Sequence, residues 1–337
     1  MTKKILVTLG PSSMSRETVA QCEKQNVYVF RINLSHTPIE AVGPTIDKIK
    51  GWTGVPICLD SEGAQLRNHK MAGDGAKFFK GDEVKIHFKP VIGDRHNISF
   101  TPINIAPQLV VGDSITVDFN HACLKVVEIH STSATSVVES GGIVGSNKAS
   151  DVIRELDFLT VSPKDEEAIK IGLDKGIKHF ALSFANRRSD VELMRELCGP
   201  GSTIISKIES PSGVLNLGDI LEVTDEILID RGDLSRRIPL KKIPFLQRKI
   251  ISIARAREIP VYVATNLLES MVTQRSPTRA ELNDVVSTLL MGASGLVLAA
   301  ETAIGDHPVG AVEMIRRLIQ ESETWTTETA LSEMIRE

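Results

Sequence analysis

Aromatic side chains are scarce, at 4% of the chain, and no run of Lys and Arg is interleaved with them. Lys and Arg total 39 against 43 Asp and Glu, a formal charge of −4. The basic, aromatic-studded surface that grips nucleic acid is therefore missing. Long apolar runs are missing too. Met1-Thr2-Lys3-Lys4 leads directly into Ile5 to Leu9, too short for a signal-peptide core, and no apolar stretch reaches the ~18 residues that a membrane helix needs. The four cysteines, Cys22, Cys58, Cys123 and Cys198, have no paired spacing of the kind that marks a zinc site or a disulfide framework. They read as small buried apolar groups. Repeats and low-complexity segments do not occur. These absences lead to the expectation of a cytoplasmic protein that neither spans a membrane nor binds nucleic acid.

Apolar residues make up 42% and charged residues 24%, the balance of a folded globular protein. A chain of 337 residues is too long for one ordinary domain. An α/β barrel commonly takes about 250 residues, which leaves the rest for an insertion. Eight short apolar, β-branched runs fit the strands of such a barrel: Ile5 to Leu9, Val27 to Ile32, Pro56 to Asp60, His179 to Phe184, Thr203 to Lys207, Glu226 to Ile229, Val261 to Ala264 and Gly295 to Ala299. Between them lie helix signals. Ser162-Pro163-Lys164-Asp165 reads as a helix start and Thr278-Arg279-Ala280-Glu281 as a capping box. Lys241 to Arg257 and Pro308 to Ile319 carry apolar positions at helical spacing.

One connection breaks the rhythm, because more than a hundred residues separate the third run from the fourth. Within it, Glu83 to Phe88, Asn97 to Phe100, Ser114 to Asp118, Leu124 to Ile129 and Ser136 to Ser140 read as strands, separated by turns such as Gly81-Asp82, Gly93-Asp94 and Gly112-Asp113. The expected architecture is a (β/α)8 TIM barrel over 1–67 and 151–337, with an all-β, barrel-like lid domain over 68–150 inserted after the third strand.

The chemistry of such a barrel sits at the carboxyl ends of its strands. Each expected end carries a polar group: Thr8; Arg31, Asn33 and Ser35; Asp60; Ser183; Lys207 and Glu209; Arg231 and Asp233; Thr265 and Asn266; Glu301. Taken singly, each is a polar loop residue of the ordinary kind. Taken together, eight ends converging on one rim read as a site. Glu209 and Asp233 are hard oxygen donors on neighbouring strands, suited to a divalent cation. Lys207 and Glu209 alternate across Ile208, so strand period two turns both toward the barrel mouth. Lys207 beside a metal and Arg31 would stabilise a transferring phosphoryl group or an enolate oxygen. The plainer reading of Lys207 is a salt bridge to Glu209.

These segments resemble the pyruvate kinase family over roughly residues 3 to 325. Ile204-Ile205-Ser206-Lys207-Ile208-Glu209-Ser210 resembles its active-site signature, Arg31-Ile32-Asn33-Leu34-Ser35-His36 its Arg-x-Asn-x-Ser-His motif, and Arg231-Gly232-Asp233-Leu234 its Arg-Gly-Asp-Leu loop. Thr8-Leu9-Gly10-Pro11, Pro277-Thr278-Arg279-Ala280-Glu281 and the segment Glu301-Thr302-Ala303-Ile304-Gly305-Asp306 follow in family order. The resemblance implies phosphoryl transfer between phosphoenolpyruvate and ADP, giving pyruvate and ATP, with Mg²⁺ or Mn²⁺ and with K⁺. By the same resemblance, Glu209 and Asp233 would hold the divalent ion, and Asn33, Ser35, Asp60 and the Ser61 carbonyl would hold K⁺. Lys207 and Arg31 would act on the phosphoryl group, Gly232, Asp233 and Ser183 on the substrate, and Thr265 at the face of proton transfer. Thr8, Pro11, His36, Arg67 and Lys148 would face the nucleotide. A homo-oligomer, a dimer through the barrel, is the expected assembly.

The sequence also departs from the family pattern. Ala149-Ser150-Asp151-Val152-Ile153-Arg154 follows Lys148 in place of a Gly-Val-Asn-x-Pro-Gly run, and Ser235-Arg236-Arg237 replaces Gly-x-Glu. Asn266 replaces a Gln, Ala299-Ala300 a Ser-Gly, and Gln65 stands at a position that is Glu or Lys in the family. The chain ends at Glu337, where the resemblance implies no room for a C-terminal regulatory domain. Two alternatives stay open: a metal-dependent lyase or aldolase working through a pyruvate enolate without nucleotide, and a non-catalytic homologue that keeps the barrel as scaffold.

Overall fold

In the computed structural model the alternating apolar runs close into a barrel. The structure describes residues 2–63, 66–118, 121–152, 154 and 156–335. The barrel strands are β1 (Lys4–Leu9), β2 (Val29–Asn33), β3 (Ile57–Asp60), β4 (His179–Leu182), β5 (Thr203–Ile208), β6 (Glu226–Asp230), β7 (Val261–Ala264) and β8 (Gly295–Leu298). Neighbours pair in parallel in chain order, and β8 closes onto β1 with Leu6 opposite Val297. All eight expected strands are present, with ends shifted by one or two residues. At β4 the strand stops at Leu182, two residues early, because Phe184 takes a positive φ of 51° that an extended strand cannot contain.

Strand alternation sorts the side chains. Outward positions pack on surrounding helices, among them Ile39–Lys50, Pro163–Asp174, Arg188–Cys198, Ile243–Ala256 and Pro308–Thr324, in the larger of the apolar cores. The expected helix over Lys241 to Arg257 is broken at its start into a 3-10 turn, Leu240–Lys242, before the helix proper. Inward positions form a layer with one member from each strand: Leu6, Val29, Cys58, Ala181, Ile205, Leu228, Tyr262 and Val297. Below this layer, at the strand starts, sits an ionic cluster. Lys4 Nζ lies 2.9 Å from Glu226 Oε1 and 3.0 Å from the Tyr262 hydroxyl, and 3.7 Å above the Tyr28 ring.

By internal contacts the chain divides into Met1–Glu62 with Val161–Glu337, and Gly63–Thr160. The second unit has its own core, centred on Phe78, Phe100, Ile86, Ile98 and Leu124. Its main sheet runs in the order Ser150–Val152, Ser114–Val117, Ala122–Ile129, Ser133–Ser140, Glu83–His87, Asn97–Thr101, Arg67–Asn68. The two edges meet: Ser150 N donates to Leu66 O at 2.8 Å and Asn68 N to Lys148 O at 3.1 Å. The sheet is thus nearly closed on itself, which removes most of its free edge. No described helix is long and apolar enough to cross a membrane.

The helix Pro163–Asp174 pins the place where the barrel chain breaks off. Ser162 and Asp165 form its capping box, and the second oxygen of Asp165 accepts the Glu62 amide at 2.7 Å. One buried carboxylate therefore satisfies a helix start and the last residue of the first barrel segment together. Asp165→Ala should cost about 2 kcal/mol, the upper part of the range for a lost cap, since a second amide loses its partner as well. Chemical denaturation checks this, and a loss no larger than that of Ser162→Ala would show the Glu62 bond to be inconsequential.

Candidate active site

Continuing the inward positions of each strand past the apolar layer gives the residues of the barrel mouth. Two residues beyond Leu6, Val29, Cys58, Ala181, Ile205 and Leu228 stand Thr8, Arg31, Asp60, Ser183, Lys207 and Asp230. Period two alone thus turns a layer of hydrocarbon into a layer of hydroxyls and charges.

Lys207 is the centre of this layer. Its ammonium lies 3.1 Å from Asp60 Oδ1 and 3.1 Å from Glu209 Oε1, and donates to Ser183 Oγ at 2.9 Å. Ser183 in turn donates to the Ser61 carbonyl at 2.6 Å and receives the lysine bond. Asp60 also takes Arg31 NH2 at 2.6 Å on its other oxygen. All four charged groups are buried. Burial by itself would strip the proton from Lys207, but Asp60 and Glu209 outweigh it and hold the ammonium charged well above its usual range. Arg31 is likewise kept charged, against burial, chiefly by Asp60. Asp60 would be driven up by burial, yet Arg31 and Lys207 prevail and keep it ionised.

Glu209 behaves differently. Burial pushes its carboxyl up to about 8; Lys207 and the Phe184 amide, which donates at 2.7 Å, pull the other way, but Asp233 and Asp230 push up. Its ion pair with Lys207 is therefore not enough to offset burial together with the acidic neighbours. Glu209, Asp230 and Asp233 each offer a carboxylate oxygen, and these atoms lie within 4.8 Å of one another. Three hard oxygens so spaced, one from each residue, fit a divalent ion that keeps water or substrate oxygens as further ligands.

Asp230 is the one member of this group that the sequence reading missed. It ends β6, two residues after Leu228, so the alternation that identified Lys207 and Glu209 would have found it. Its Oδ1 receives the Thr265 hydroxyl at 2.6 Å, the Gly232 amide at 3.0 Å and, more weakly, the Asp233 amide at 3.4 Å. Thr265 itself is strained, with φ of 77°, rare for a β-branched residue. Arg231 holds it there through two bonds to its carbonyl, at 3.1 and 2.6 Å, while pairing with Asp284 at 2.6 Å. Gly232 is required beside it, since a Cβ would come within 2.8 Å of Thr265 Cγ2.

The other sequence-derived candidates fall into groups. Asn33 and Asp60 are opposite each other in the β2–β3 register, with Ser35 and Ser61 close along the chain. The Asn33 side-chain oxygen accepts the Ser35 amide at 2.9 Å, and that oxygen and the Ser61 carbonyl each keep a second lone pair. In kind these oxygens fit a monovalent cation. Thr8 is buried with its hydroxyl unpartnered, whereas Pro11 and His36 are exposed on loops after β1 and β2. Arg67 and Lys148 belong to the second unit, where Arg67 donates to the Asn147 carbonyl at 3.1 Å and Lys148 lies 3.5 Å from Asp118. Gln65 lies outside the described residues. Glu301 and Arg231, charged rim positions by sequence, serve the backbone: Glu301 is buried and accepts the amides of Leu268 and Ala299.

A family model described as the barrel domain of pyruvate kinase matches residues 1–312. A pyruvate kinase of Thermococcus litoralis is 33% identical over 331 residues, which are 96% of this chain and 70% of the relative. One from Thermotoga maritima is 32% identical, covering 95% and 71%. Among solved structures, a pyruvate kinase from Cryptosporidium parvum superposes with a TM-score of 0.86 at 29% identity, over 97% of this chain and 70% of that one.

The charge balance at the mouth makes a stability prediction. Lys207→Met removes the cation that Asp60 and Glu209 share, leaving Asp60 with Arg31 and Glu209 with no cation partner among the described residues, and breaking such a buried set costs about 3–5 kcal/mol. Urea denaturation at neutral pH measures it; a loss below about 1 kcal/mol would mean that water screens these groups as it does surface pairs.

Proposed function

The chain belongs to the pyruvate kinase family, and we propose that it transfers a phosphoryl group between phosphoenolpyruvate and ADP. In this reading the bond from phosphorus to the enol oxygen breaks, a bond to the terminal oxygen of ADP forms, and the enolate left behind takes a proton to become pyruvate. The observation that carries it is the packing of two permanently charged cations, Lys207 and Arg31, beside an acidic cluster at the mouth of the barrel. Phosphoryl transfer needs little covalent chemistry from a protein; it needs positive charge fixed where the equatorial oxygens will be.

Lys207 faces the phosphoryl group in flight. Arg31 retains a buried Nε–H with no partner, a donor available to a phosphate oxygen. Glu209 and Asp233, with Asp230 beside them, would hold Mg²⁺ or Mn²⁺, which when bound neutralises the phosphate and the enolate oxygen. Ser183 steadies Lys207. The amides of Gly232 and Asp233, with the Thr265 hydroxyl, form the donor set for the substrate carboxylate, and Thr265 lies at the face where the enolate is protonated. Thr8, Pro11 and His36 line the nucleotide side of the barrel. Asn33, Ser35, Asp60 and Ser61 would hold K⁺, adding a positive charge on the phosphate side.

The test is pyruvate formation from phosphoenolpyruvate with Mg²⁺, with and without ADP, and with and without K⁺ at fixed ionic strength. Pyruvate should appear only with ADP, faster with K⁺, and Lys207→Met should turn over ~10²–10³-fold more slowly, the scale of one preorganised donor. Pyruvate release that ignores ADP would mark a lyase or hydrolase instead.

The metal assignment has a readout of its own. Glu209→Gln and Asp233→Asn should each weaken Mn²⁺ binding at least tenfold by calorimetry. Unchanged affinity in both variants would remove them as ligands.

A further inference from the structure

The donors that the preceding reading assigns to the substrate carboxylate are already engaged by a carboxylate of the protein. A single oxygen of Asp230 receives the Thr265 hydroxyl at 2.6 Å and the amides of Gly232 and Asp233 at 3.0 and 3.4 Å. We propose that Asp230 is a specificity-determining residue: an internal carboxylate that competes with the substrate's own for this donor set, so that binding requires the Asp230 side chain to turn away.

Several observations bear on this. Thr265 is not free to serve both groups, because its backbone is clamped at positive φ by Arg231 and its hydroxyl has one proton to donate. Gly232 packs against the Thr265 methyl and Asp230 Oδ1 so closely that even a Cβ would lie 2.8 and 3.2 Å from them. Two ionised carboxylates cannot share that space without heavy repulsion. Asp230 is also more than the N-cap of the short helix Arg231–Arg237 that follows β6. It occupies the inward position two residues past Leu228, and its charge reaches Arg31, Lys207 and Glu209. A substrate carboxylate would therefore displace an equivalent group instead of entering an open cradle. Substrates with a weaker acceptor at that position would be excluded more strongly still, since they could not compete.

The inference rests on the proposed assignment of the substrate carboxylate, and its test is chosen to separate the two. Asp230→Asn keeps a side chain that caps as well as aspartate but removes its charge, and Asp230→Ala removes the acceptor. Pyruvate binding is measured by calorimetry at saturating Mg²⁺ for the wild type and both variants, next to KM for phosphoenolpyruvate and thermal unfolding. Expected is pyruvate binding at least tenfold tighter in Asp230→Ala and severalfold tighter in Asp230→Asn, with KM falling in parallel. A purely structural cap would change unfolding and leave binding alone, and that outcome overturns the proposal. Weaker pyruvate binding in both variants also overturns it, as the Asp230 carboxylate would then support substrate binding, directly or through the metal, instead of competing with it. So would pyruvate binding undetectable in all three proteins. Tighter pyruvate binding without phosphoryl transfer in any form would retire the kinase reading and leave the competition standing. Should Asp230→Ala fail to fold, Asp230→Asn decides alone.

Discussion

An ammonium taken out of water has to be matched by partners on every side, and Lys207 is matched by Asp60 and Glu209 at 3.1 Å each and by the Ser183 hydroxyl at 2.9 Å. Much of the barrel mouth follows from that requirement. Asp60 can stay ionised there only because Arg31 takes its other oxygen. Glu209, flanked by two more carboxylates, is left short of positive charge. The arrangement is thus charge-complete on one side and deficient on the other. That asymmetry agrees with the proposed placement of cations: the fixed charges of Lys207 and Arg31 at Asp60, and an exchangeable ion beside Glu209 and Asp233.

The backbone supports this arrangement at some cost. Phe184, Thr265 and Asn266, just beyond β4 and β7, all have positive φ. Such residues cost of order 1–3 kcal/mol each and persist where the surroundings overdetermine them. At Phe184 the compensation is visible, since its amide is aimed at Glu209 at 2.7 Å. At Thr265 it is the double grip of Arg231 on the carbonyl. Strain and electrostatics are coupled here, with the turn that costs energy being the turn that supplies the donor.

How much of this was legible in the sequence depended on length and period. The barrel strands were legible because strands covered on both faces appear as unbroken β-branched runs, and the large strands of the second unit because they alternate. Arg67–Asn68, Ala76–Phe78, Gly142–Val144 and Ser150–Val152 were not, for two or three residues carry no period. At the site, Lys207 and Glu209 were readable from alternation across Ile208, and Asp230 was equally readable from Leu228 but stood just outside the expected strand end. Residue type misled in the opposite sense at Arg231 and Glu301. Both are charged and at the rim, yet Glu301 is engaged by backbone amides and Arg231 by the Thr265 carbonyl and Asp284, and no pattern in one sequence distinguishes a charge that serves a loop from one that serves a substrate.

The barrel interior is stratified, with an ionic cluster of Lys4, Glu226, Tyr28 and Tyr262 at the strand starts, a hydrocarbon layer, and the charged mouth. Along β6 the two charged ends, Glu226 and Asp230, are four residues apart, roughly 13 Å at ~3.3 Å per residue. Side chains so separated and without shared partners respond to substitution almost additively. Substitutions in the ionic cluster at the bottom should therefore leave the charge balance of the mouth largely unaltered, and the hydrocarbon layer is what separates the two.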